Sequence, residues 1–479
     1  MTTISRRGFV GGAFALGACG ACGIARAADG AAPRLRFGVM SDVHIGGKSD
    51  AVETLEKTLR WFAAENVDAV LCAGDVAHSG LIGELEKFAA AWYRVFPEGR
   101  AADGHKVELM ISTGNHDVDA WGGRWSKFTE EEMLAKRFNY KDNAEKTWRC
   151  LFNQPWEVVW RREVKGYTFI GSQWSSLNPQ VEAFMNDNAA TLDPAKPFFY
   201  CQHEHPNGTC HKYLAKGANS EEVVRALSKF PNAVAFSGHS HLAISDERAV
   251  WQGAFTSIGA GCIHEGSAGF KYDNISAFWH PSGRKNLMAS MADPKTWGGD
   301  AKGGACELVE VFDDRLVVHR QSVVFGRPIA PSWIVPIPAR KGGPMDFGRR
   351  VAQRKASGAI PQFADDAAIS AKFCPNGHEL ESAAHRGEAC TYVTFPRAKT
   401  TGGSRVFDYV VEASVDGAKP VVRKLVAAGF AYPETDADIP GECLFSAAEV
   451  PADKPVRFTV TPRDCFGLSG KPLVCDVQR

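Results

Sequence analysis

The sequence predicts an α/β fold followed by an all-β tail. Over residues 34–114, short apolar runs alternate with stretches whose apolar residues recur at helical spacing. Beyond residue 363 the pattern becomes apolar–polar alternation, broken by turn signals such as VDGAKP. A third observation locates the chemistry: several apolar runs end in Asp, His or Asn.

The first run, RLRFGVMSD, reads as a buried strand. SDAVETLEKTLRWFAAE follows as a helix, with Ser49 or Asp50 as its cap. VDAVLCAGD is a second strand, IGELEKFAAAWYRVF a second helix and KVELMISTG a third strand. This order is that of a parallel sheet with helices packed across it. Later, GYTFIGS, PFFYCQ, AVAFSG and AFTSIGA are short strands ending in polar residues or glycine, and DDR at 313–315 is a hairpin turn. In open α/β sheets, functional residues collect beyond the carboxyl ends of the strands.

Five of those ends carry a polar cluster. They hold Asp42 and His44 (SDVH), Gly74 and Asp75 (AGDV), and Gly114, Asn115, His116 and Asp117 (ISTGNHDV). His203 and His205 (HEHP) follow PFFYCQ, and His239 and His241 (SGHSH) follow AVAF. Carboxylates, imidazoles and amide oxygens are ligands for hard and borderline metals. Two divalent ions about 3.5–4 Å apart need a shared carboxylate to offset their repulsion. Asp75 suits that place, and imidazoles fill the others without adding charge. His116, beside Asn115, is placed to donate a proton to a leaving oxygen.

In this order and at these strand ends, the five motifs together resemble the calcineurin-like metallophosphoesterase family, over roughly residues 35–338. The resemblance implies a four-layer α/β/β/α sandwich. It implies one metal held by Asp42, His44, Asp75 and His241, and another by Asp75, Asn115, His203 and His239. The ions would be divalent or trivalent: zinc, manganese or iron. His116 would be the general acid, oriented by Asp117. In HEHP, His203 is preferred because it directly follows the strand, with His205 as the alternative. The implied reaction is hydrolysis of a small phosphodiester or phosphomonoester by a metal-bridging hydroxide, with the diester slightly favoured. A nucleotidase or nuclease is one alternative. A non-catalytic surface-binding protein is another, disfavoured by the intact ligand set.

Charge narrows the partners. Lys plus Arg equals Asp plus Glu, at 55 each, so no basic excess draws the chain to long nucleic acids. The N-terminus, SRRGFVGGAFALGACGACGIARAAD, has paired Arg6 and Arg7, a Gly- and Ala-rich apolar run and a small-residue cleavage spacing. It resembles a twin-arginine export signal over residues 1–27. Cys19, in LGAC, resembles a lipidation site and a potential anchor. An exported, periplasmic or cell-surface protein is therefore expected. Eleven cysteines lie beyond the leader, so at least one is left unpaired or intermolecular.

The expected domains are a phosphoesterase over 33–340, a Pro-, Gly- and Arg-rich linker over 341–362 and a β-sandwich over 363–479, similar to a fibronectin type III domain. The stretch between Asp117 and Tyr167 reads as one or two surface helices placed to influence substrate choice. His78 reads as a solvated loop residue. Trp121, Trp125 and Trp174 fit packing at least as well as a cleft wall, and His105, His211, His264 and His280 receive no role. The tail is expected to fold separately and to contribute little to the chemical step.

Overall fold

Strands that are apolar on both faces must be covered on both faces, and the architecture follows from that requirement. The computed structural model describes residues 31–47, 49–119, 124–174, 179–211, 220–264, 304–337, 347–378, 386–400, 405–427 and 440–478. The stretch expected to be an export leader, Cys19, Trp121, His280 and residues 338–346 lie outside them.

The chain begins β1 (Leu35–Met40), α1 (Ala51–Ala64), β2 (Ala69–Ala73), α2 (Ile82–Val95) and β3 (Glu108–Ser112). β1, β2 and β3 pair in parallel. Next come α3 (Asn115–Val118), α4 (Glu130–Lys136), α5 (Asn143–Phe152), β4 (Val159–Val164), β5 (Tyr167–Ser172), α6 (Pro179–Asn188), β6 (Phe198–Cys201), α7 (Ser220–Leu227), β7 (Ala233–Ser237), β8 (Val250–Gln252) and β9 (Thr256–Gly259). β10 (Ala305–Val311), β11 (Arg315–Ser322) and β12 (Arg327–Pro336) complete this half.

Two six-stranded sheets result, ordered β12-β11-β10-β1-β2-β3 and β4-β5-β6-β7-β9-β8. In the first sheet parallel β1, β2 and β3 make one side, with β3 at the edge, and antiparallel β10, β11 and β12 make the other. In the second, parallel β5, β6, β7 and β9 form the centre and antiparallel β4 and β8 the edges. The sheets face each other through alternate residues. Phe37 of β1 lies 4.8–5.7 Å, centroid to centroid, from Phe169, Phe199 and Phe236 of the opposite sheet. The other residues of β5, β6 and β7, including Ile170, Tyr200 and Ala235, pack outward against Val181, Met185 and Leu227 of α6 and α7. On the far side, α1 and α2 bury Leu55, Phe62, Leu85 and Phe88. This is a four-layer α/β/β/α sandwich.

The tail contains α8 (Phe347–Ser357), β13 (Ser370–Cys374), β14 (Cys390–Phe395), β15 (Val406–Val415), β16 (Val421–Val426), β17 (Gly441–Ser446), β18 (Val456–Asp464) and β19 (Leu473–Val477). Its strands form a three-stranded sheet, β13-β14-β17, and a four-stranded sheet, β16-β15-β18-β19, wholly antiparallel. Val393, Phe395, Phe445 and Phe458 fill the core between them. The stretch expected to be a linker differs from that reading, because eleven of its residues form α8. Pro and Gly flank this segment, while its interior, FGRRVAQRKAS, holds no proline and a single glycine, Gly348, in the first turn.

Candidate metal centre

The strand ends converge on one pocket. β1 delivers Asp42 and His44, β2 delivers Asp75 and β3 runs into α3 with Asn115 and His116. β6 delivers His203, and β7 delivers His239 and His241. Two groups that join a carboxylate to imidazoles form there, Asp42, His44 and His241, and Asp75, His203 and His239, beside a third of imidazoles alone, His44, His78 and His116.

In the first group, His241 Nε2 lies 2.9 Å from Asp42 Oδ1 and 3.2 Å from His44 Nε2. In the second, His203 Nε2 lies 3.0 Å from Asp75 Oδ2, and His239 Nδ1 lies 3.3 Å from His203 Nε2 and 3.1 Å from Asn115 Oδ1. Asp75 faces both groups, since its Oδ2 is also 3.6 Å from His44 Nε2. Asp42 and Asp75 are fully buried. Facing imidazole nitrogens and two buried carboxylates this close repel unless positive charge sits among them, so the donor set fits two cations.

The backbone is bent to reach this arrangement. Asp42, His44, Asp75, His239 and His241 all have left-handed φ, between 49° and 66°. Such a conformation costs a non-glycine residue about 1–3 kcal/mol and persists where its surroundings impose it. Close approach also explains two motif glycines. A Cβ on Gly114 would lie 2.1 Å from Asp75 Oδ1, and one on Gly238 would lie 1.8 Å from Ser41 Oγ.

Hydrogen bonds beyond the ligands orient them. His203 Nδ1 donates to the Ala73 carbonyl at 2.7 Å, which leaves Nε2 to face Asp75. Burial opposes charge on His203, but Asp75 and Asp42 outweigh it and raise the imidazole to about 9. Burial, reinforced by His203, lowers His239 to about 4.

His205 is placed differently. Its nitrogens lie 2.7 Å from the hydroxyls of Ser237 and Ser240, beneath the loop. His203 is therefore the one that faces Asp75.

His116 lies against His44, with ring centroids 4.4 Å apart. Its Nδ1 donates to the His78 carbonyl at 2.8 Å, and its backbone N–H donates to Asp75 Oδ1. Burial pushes the ring below its ordinary pKa.

The expectation that Asp117 orients His116 needs correction. The Asp117 carboxylate accepts backbone N–H bonds from Ala77 (2.7 Å), Gly114 (2.8 Å) and Val76 (3.3 Å). It stands third in the one-turn helix α3, so it folds back over the helix start instead of reaching its neighbour. Burial and the Asp75 charge push it up to about 7.

Three residues have closer ties to the pocket than their sequence context indicated. His78 is half-buried, 5.2 Å from the His116 ring. His264 lies 5.0 Å from His44, and its N–H donates to the Asp42 carbonyl. Trp174 borders His203 and His239 at about 6 Å and donates its indole N–H to Asp119. His264 follows β9, so the strand-end rule could have found it. The His78 contact with His116 runs through a backbone carbonyl, which no residue type announces.

Residues 35–243 match the family described as Calcineurin-like phosphoesterase. No curated protein matches the chain. Among solved structures, a dimetal phosphatase from Danio rerio is similar at 11% identity and a TM-score of 0.36, over 64% of this chain and 99% of that one. A purple acid phosphatase from yellow lupin (Lupinus luteus) is 13% identical with a TM-score of 0.39, over 66% and 55%. GAP50, described as the anchor in the inner membrane complex of Plasmodium, is 16% identical with a TM-score of 0.35, over 67% and 94%. It is the family match that places a calcineurin-like phosphoesterase domain over residues 35–243.

Proposed function

We propose that this protein is an exported hydrolase that uses two metal ions to cleave a small phosphodiester or phosphomonoester. The observation that carries the reading is the pair of Asp–His groups facing one carboxylate, Asp75. Asp42, His44, Asp75 and His241 would hold one ion, and Asp75, Asn115, His203 and His239 the other. When bound, such a pair supplies Lewis-acid charge to a phosphoryl group and lowers the pKa of a shared water.

The chain's own residues do the rest. Asp75 keeps the two groups in register. The Ala73 carbonyl fixes the His203 tautomer. The His78 carbonyl holds the Nδ1 proton of His116, which leaves Nε2 to carry a second proton to the departing alkoxide. A lowered pKa makes the protonated ring a stronger donor. This supports an ester whose leaving group is a poor, basic alkoxide, with the diester kept as the slight preference.

Export rests on the paired arginines and apolar run of the leader, and a lipid anchor at Cys19 is its variant. The test reconstitutes the protein with manganese or zinc and measures metal content. It then compares hydrolysis of nitrophenyl phosphate with that of its diester. Two bound ions and turnover of the diester are expected. Two bound ions without hydrolysis of any ester in a broad chromogenic panel would sink the enzymatic reading.

A further inference from the structure

The loop that carries His239 and His241 does not end in the phosphoesterase half. Leu242, the residue after His241, is 2% exposed and belongs to the core between the two tail sheets, with Val393, Phe395 and Phe458. Its N–H donates to Ser240 Oγ, the hydroxyl that lies 2.7 Å from His205. Further along the loop, the Arg248 guanidinium lies 4.6 Å from the centre of the Phe407 ring, on β15.

Helix α8 completes the joint. Arg354 is largely buried and pairs with Glu247 of the loop on one side. On the other it reaches Asp464, at the end of β18, at 2.7 Å. Asp464 is fully buried, and its second oxygen accepts the N–H groups of Phe466 and Leu468. Arg354 thus joins the ligand-bearing loop to a tail turn that is itself held in place.

From these contacts we infer that the tail is a structural part of the metal centre, with Leu242 and Arg354 as positioning residues that hold the His239–His241 segment in its left-handed conformation. The physical reason is strain. Two left-handed histidines with one residue between them relax unless the chain beyond is anchored, and the tail core supplies the anchor. The inference rests on the proposed two-metal reading. It replaces the expectation of a tail indifferent to chemistry.

The test uses full-length protein and manganese alone as the probe. Leu242→Ala should weaken manganese binding about tenfold, the effect typical of losing a residue that orients a ligand. Leu242→Met should restore most of it. Arg354→Met should also weaken binding, and adding Glu247→Gln should recover part of the loss by removing one of the two carboxylates that lose Arg354, the one left with Arg350 at 3.8 Å. This pair of variants keeps the test valid if Leu242→Ala does not fold. A purely structural joint predicts another result: thermal stability falls while both manganese affinities stay at the wild-type value. That result overturns the inference and leaves the reaction untouched. Conversely, a wild-type protein that binds two manganese ions but cleaves no ester overturns the reaction and leaves the joint standing.

Discussion

The two halves of the molecule handle left-handed backbone differently. In the phosphoesterase half, non-glycine residues adopt it, and five of them are the aspartates and histidines of the pocket. Among the described residues beyond 304, every left-handed position is a glycine, such as Gly358, Gly417 and Gly467. Turns that carry no pocket ligand use the residue that makes them without strain. A pocket that needs Asp or His at a sharp strand end has no such freedom and accepts the strain.

Buried carboxylates differ in the same way. Burial opposes the charge of Asp42, but His241, with His44 and His203, more than offsets it and holds Asp42 well below the usual range. Glu307, on β10 between the sheets, is fully buried with no hydrogen-bond partner on either oxygen, and burial drives it well above that range. The first carboxylate is poised to hold a cation and the second is not.

The largest expected effect comes from the residue that faces both pocket groups. Asp75→Asn should lower metal content and bring turnover down to the rate of the ester in buffer. Full activity with two tightly held metals would end its bridging assignment. His116→Ala should keep both metals and lose roughly 10²–10⁴ in turnover on esters with basic leaving groups. The loss should shrink on nitrophenyl esters, whose leaving group needs little protonation. An equal loss on both substrates would remove the acid role.

Smaller effects separate strain from chemistry. Gly114→Ala pushes a methyl against Asp75 Oδ1, so both stability, by about 1–3 kcal/mol, and metal affinity should fall. Gly417→Ala, at φ 75° in an open turn of the tail, should cost about 1–2 kcal/mol in denaturant unfolding and leave metal content unchanged. A drop in metal content there would blur the contrast between the halves.

Glu307→Gln tests the buried carboxylate. Its folded pKa lies above its unfolded one, so its stability penalty is absent at low pH and grows as pH rises toward the folded value. The variant should therefore raise Tm more at about pH 8 than at about pH 4. The same gain at both would mean that Glu307 does not titrate in this way.

The sequence by itself determined the parallel strands, their order and the motifs at their ends. Each of these is written within a few neighbouring residues: apolar runs bounded by Gly, Asp, Asn and His, and helices marked by spacing. The tertiary structure decided the rest. It separated His203 from His205, two residues apart on one loop, by which side of the backbone each ring takes. It assigned Asp117 to backbone N–H groups and His116 to a carbonyl, and carbonyls look alike in every residue. It also turned an expected linker into a helix whose Arg354 clasps Glu247, 107 positions earlier, and Asp464, 110 positions later. Local patterning reports which face of an element is buried. It carries no signal about which distant residue comes to meet that face, because that is set by how the whole core closes.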